Sequence, residues 1–204
     1  MTAGTAPSAT DRSDFRHILV SGTRVGAAVG AAVIVYLLVS RLVPAGIVQT
    51  ALQTVIVLAA AVTAGLMPAQ WTTARSTQGI AGAAAVGLWG TIVFMAIDII
   101  VLRPLKAYPW TWDAVGGGST WWYLPIWWML GTFVAWMGGM YTAGRAARGG
   151  TSIVSLATPL LGGAVVIAAA VQVAHLGIYL PVAAGAAFAF VLTVFAVVAI
   201  ARKT

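Results

Sequence analysis

The sequence predicts an all-α fold: a polytopic integral membrane bundle of about six transmembrane helices with both termini cytoplasmic. Three observations lead there. First, 61% of the 204 residues are hydrophobic and only 7% charged, against about 25% charged in soluble domains. Second, the chain divides into apolar runs of about 20 residues, the length needed to cross a hydrocarbon core of about 30 Å. Third, lysine and arginine fall unevenly on the connections between those runs, as topology signals do.

On that length scale the spans fall at approximately 25–43, 46–68, 79–102, 121–141, 152–177 and 180–200. Residues 1–24 read as a polar cytoplasmic N-terminal tail carrying Asp11, Arg12, Asp14, Arg16 and His17, with a short amphipathic helix over 14–20 as the alternative. This tail lacks the basic–apolar–small order of a cleavable signal peptide, and the first apolar run exceeds a signal h-region, so it is expected to be retained. Residues 25–204 form one six-helix transmembrane domain. Pro44-Ala45-Gly46 should fold the first two spans into a tight hairpin, and Gly177 to Pro181 should do the same for the last two. The connection between spans three and four, 103–122, is the long one. It opens a stretch, Tyr108 to Trp136, that holds seven of the nine tryptophans.

Orientation follows from basic residues. A cytoplasmic N-terminus places Arg12, Arg16, Arg24, Arg75, Arg145, Arg148, Arg202 and Lys203 inside, and only Arg41, Arg103 and Lys106 outside. Eight against three puts both termini in the cytoplasm, in a cytoplasmic (inner) membrane, and the Trp-rich loop outside. The net charge of +7 arises from scattered single residues and pairs, so nucleic acid is not an expected partner. Lipid is, and so are other membrane subunits. With no cysteine in the chain, disulfides, thiolate catalysis and Cys-based metal sites are excluded.

Few residues could carry chemistry. Asp98 is an ionisable group inside span three, which is costly and commonly functional. Its structural reading is an ion pair with Arg103 or Arg41; ligand binding and proton relay are the alternatives. His175 lies near the outer end of span five. A single histidine could ligate a pigment or haem, but the second histidine, His17, should lie on the opposite side, which removes bis-histidine haem. No cofactor is therefore expected. By depth, Ser40, Arg41, Gln49, Gln53, Asp98, Arg103, Gln172 and His175 gather toward the outside, with little to match them inside. Trp112, Trp121 and Trp122 would stand above, hinged by Gly116 to Gly118. This arrangement reads either as an aromatic lid over a polar ligand pocket or as an interfacial belt above ordinary polar residues. The belt is the preferred reading.

Catalytic signatures are missing: the sequence contains no Gly-x-Ser-x-Gly, no His-Glu-x-x-His, no paired carboxylates and no phosphate-cradling loop. An intramembrane lipid-modifying enzyme would require Asp98, His175 and Asp113 to converge. The expected role is thus non-enzymatic: an accessory or scaffolding subunit of a larger transport, respiratory or photosynthetic membrane complex. The alternative is a solute-binding component or small transporter with its site near the outer face. In topology, and in Ala27/Ala31 on the first helix, the chain resembles the S-components of energy-coupling-factor vitamin transporters. That resemblance implies a ligand site near the outer face. Gly26 and Gly30, a Gly-xxx-Gly pair, fit either internal packing or a partner interface.

Overall fold

A computed structural model describes residues 14–102, 123–147, 149 and 152–201. The Trp-rich loop, with Arg103, Trp112, Asp113, Trp121 and Trp122, lies outside the described residues. Helices account for 88% of the described residues, with no strand among them. They are α1 (Phe15–Leu42), α2 (Ile47–Trp71), α3 (Thr77–Ile97), α4 (Tyr123–Ala146), α5 (Ile153–Val173) and α6 (Leu180–Ala201), and α3 runs on into a π-helical turn at Asp98–Leu102. The all-helical expectation holds. Five helices are long and apolar enough to span a bilayer; α4, at 24 residues, is long enough but rich in Trp, Gly and Tyr.

The helix boundaries have local causes. Asp14, Ser76 and Ser152 cap α1, α3 and α5, their side-chain oxygens accepting from the amides of His17, Gly79 and Ser155. Helix α1 starts at Phe15, not near residue 25, so its 28 residues rise about 42 Å and overhang the hydrocarbon core at the polar end. Residues 15–20, the alternative surface helix, are the first turns of α1 itself. Helices α2 and α5 each end in a Schellman arrangement. The amide of Ala74 reaches the Ala69 carbonyl and that of Thr73 reaches Gln70, while Leu176 reaches Val171 and His175 reaches Gln172. The residue at the left-handed position is Thr73 (φ 48°) in one case and His175 (φ 51°) in the other. Glycine would be the unstrained choice at both.

Helix α2 is the hub. It packs against all five other helices, and α1, α3, α4, α6 and α5 follow one another around it. The bundle has two ends. His17 at the start of α1 bonds the carbonyl of Trp71 at the end of α2, and Gly144 near the end of α4 meets Ala199 near the end of α6. These mark the terminus face; the opposite end, with the 43–46 and 174–179 connections, is the loop face. The apolar core, including Leu66, Met137, Tyr141, Leu156, Leu160, Phe188 and Leu192, joins α2, α4, α5 and α6.

Backbones cross closely where glycines meet. At Gly138 on α4 a side chain would overlap the carbonyl oxygen of Gly65 on α2, and at Gly26 on α1 it would overlap that of Gly90 on α3. The Gly26/Gly30 face is therefore internal packing. Ala27 and Ala31 lie on the exposed face of the same helix.

Candidate functional site

The loop face was expected to hold the polar chemistry, and part of it is assembled there. Gln53, 3% exposed, lies in the second turn of α2. Its amide nitrogen donates to Ser40 Oγ at the end of α1 (2.7 Å), and its carbonyl oxygen accepts from the Tyr179 hydroxyl, just before α6. Ser40 passes its own proton to the Tyr36 carbonyl (2.9 Å). One turn earlier, Gln49 donates into the C-terminal carbonyls of α1, to Val43 at 3.0 Å and Ser40 at 3.1 Å. These carbonyls are left without helical partners at a C-terminus, and an amide donor beside them replaces the water that lipid excludes. Gln49 and Gln53 thus fasten three chain segments together. Tyr179 was not among the residues expected in this cluster. Its only sequence signal is a tyrosine in a short connection facing the start of α2.

Gln172 and His175, which the pocket reading would set beside Gln53, take local roles. Gln172 donates to the Ile178 carbonyl (2.9 Å), closing the connection onto the end of its own helix. His175 lies beyond the end of α5, exposed, with its backbone serving as the left-handed residue of the cap. Asp98 is 1% exposed and opens the π turn that ends α3. Such turns recur at functional sites. Arg41 is exposed in the last turn of α1. Helices α3 and α5 lie on different flanks of α2 without a packed interface of their own, so the elements carrying Asp98 and Gln172 do not form a common wall. No group of three or more His, Cys, Asp or Glu side chains able to hold a metal occurs among the described residues.

The terminus face is more polar than its sequence suggested. His17 Nε2 donates to the Trp71 carbonyl at 2.9 Å, with Ser21 Oγ 3.3 Å from the same nitrogen. The fully buried Thr72 hydroxyl shares its proton between the carbonyls of Pro68 (2.8 Å) and Gly79 (3.0 Å). Trp89 on α3 donates its indole N–H to Thr23 on α1 (3.1 Å). Two buried side-chain atoms there have no hydrogen-bond partner among the described residues, Thr142 Oγ1 and Arg145 Nε.

Of the tryptophans expected to form a belt, Trp128 and Trp136 are exposed on α4, eight residues apart and so on one outward side. They stand beside Met129 and Phe133 rather than over the glutamine cluster's own elements, α1 and α2.

No protein-family profile matches the chain, and neither a curated protein nor a solved structure matches it.

Proposed function

We propose that this multi-helix membrane protein is a non-enzymatic accessory or scaffolding subunit of a larger membrane complex. It would lie in the cytoplasmic membrane with its terminus face in the cytoplasm, a reading supported by the eight-to-three division of basic residues.

The observation that carries this reading is the unfinished ring around α2. The hub helix keeps an exposed apolar stripe in its loop-face half, Val48, Leu52, Val55 and Ala59, spaced as one helical face. Helices α1 and α5 stand on either side of it without packing against each other. A transmembrane helix of a partner would complete the ring there. The outward face of α1, with Ala27, Ala28 and Ala31, offers a second surface of the small-residue kind that lets helices approach. The solute-binding alternative is less well supported, because Gln53 and Ser40 are occupied by each other and by Tyr179 and Tyr36. A ligand would have to break those bonds.

The test is extraction from the native membrane with a photo-crosslinking residue at Val55 and, as a control, at Phe190 on α6. A discrete adduct from Val55, together with a particle heavier than one 21.0 kDa chain in its detergent shell, supports the reading. A homogeneous monomer without adducts counts against it.

A further inference from the structure

Near the terminus face, α4, α5 and α6 enclose a recess of about 210 Å³ lined by Tyr141, Gly144, Arg145, Pro159, Phe195 and Val198. We propose that this recess binds the anionic phosphate headgroup of a membrane lipid, with Arg145 as its cationic contact. The inference does not rest on the subunit role proposed above.

Arg145 is the next-to-last residue of α4, and its Nε is buried with no hydrogen-bond partner among the described residues. Burying a charged group's donor without a partner is costly, so a site that does so gains most from a ligand that supplies the acceptor. The second half of the chain cannot supply it from a side chain, because no Asp or Glu follows Asp113. Of the acids in the described residues, Asp14 caps α1 and Asp98 stands at the loop face. Neither of these is a partner of Arg145, and a phosphate group would supply the counter-charge.

Thr142, the other buried side chain without a hydrogen-bond partner among the described residues, does not line the recess, so Arg145 alone carries the anion contact. The rest of the recess suits the body of an amphiphile. Tyr141 and Phe195 stack at 5.9 Å between ring centroids and form an apolar wall with Pro159 and Val198. The Tyr141 hydroxyl is already engaged by the Leu156 carbonyl at 3.1 Å. Helix ends place the site at headgroup depth, where a guanidinium can grip phosphate through two parallel N–H donors. Basic recesses between transmembrane helices are suited to lipid phosphates.

The experiment measures lipid retention by native mass spectrometry, and thermal midpoint in detergent, for the full chain with phosphatidylglycerol, phosphatidylcholine or inorganic phosphate. Expected are one retained phosphatidylglycerol and a raised midpoint, with phosphatidylcholine held more weakly. Arg145→Gln should weaken retention about tenfold or more, as loss of a charged hydrogen bond does, and Arg145→Lys should restore part of it. Val198→Trp, which fills the recess and keeps the arginine, should also release the lipid; Arg24→Gln on the exposed side of α1 should not. Unchanged retention in both Arg145→Gln and Val198→Trp overturns the proposal. Equal stabilisation by inorganic phosphate alone overturns the lipid assignment in favour of a free anion. Should Arg145→Gln fail to fold, Val198→Trp and Arg145→Lys carry the same decision.

Discussion

Glycine to alanine at position 138 tests the packing of the bundle most directly. Helix α4 crosses α2 backbone to backbone there, and an added methyl would occupy the volume of the Gly65 carbonyl oxygen. Neither backbone can turn aside, as a flexible side chain could, so the helices must separate and loosen the contacts of Leu66 and Met137 beside the crossing. Overpacking of this kind costs about 1–3 kcal/mol, and backbone against methyl belongs at the upper end. Helix propensity returns about 1 kcal/mol for the loss of glycine, leaving a net cost of about 2 kcal/mol. Gly162 on α5 is the control, since it is exposed with nothing within 4 Å of an added Cβ. There the propensity gain stands alone, about 1 kcal/mol of stabilisation. The same chemical change should thus differ by about 3 kcal/mol between the two sites. For a chain of this size that is a difference of about 6–12 °C in thermal midpoint. Intrinsic tryptophan fluorescence on heating in detergent gives the readout. Equal midpoints for Gly138→Ala and Gly162→Ala would refute the close crossing.

The capping geometry predicts that Thr73→Gly and His175→Gly each stabilise the protein. A left-handed non-glycine residue costs about 1–2 kcal/mol, partly offset by glycine's greater freedom when unfolded, so about 0.5–1 kcal/mol should remain. The larger gain is expected at the β-branched Thr73, and a lower midpoint in Thr73→Gly would sink the idea. In the glutamine cluster, Gln53→Leu should cost only about 1 kcal/mol, because Ser40 keeps its bond to Tyr36 and Tyr179 is 45% exposed and can meet water. A loss above about 3 kcal/mol would point to a larger role for the cluster than holding helices. Thr72→Val should be costlier, about 1–3 kcal/mol, because it leaves two carbonyls at the α2–α3 turn without their shared donor; denaturant titration separates the two cases. Since the chain has no cysteine, single replacements report topology without background. Leu176→Cys should react with an impermeant maleimide from outside the cell, and Ser152→Cys only after permeabilisation; the reverse pattern would invert the topology.

The site was less legible in the sequence than the fold, and the residues show why. Six helices and the turn at Pro44-Ala45-Gly46 follow from local signals, apolar length and turn residues, and the caps Asp14, Ser76 and Ser152 found in the structure are equally local. Each acts within a few residues of chain, so sequence alone determined it. Which way a helix faces is another matter. In soluble proteins a polar stripe marks the outside, but here lipid is as apolar as the core, and α3 or α6 is apolar all round. Rotation about each axis is then set by backbone fit between distant segments. That fit directed Gly26 inward to Gly90 and left Ala27 outside, and it aimed Gln53 at Ser40 and Tyr179 instead of at a pocket shared with His175. It also set Arg145 beside a recess that no spacing in the sequence announces. The sequence determined the all-helical class and the number of helices, though it misplaced the start of α1 and the end of α5. Only tertiary packing decided which polar groups hold the bundle together and which are left seeking a partner.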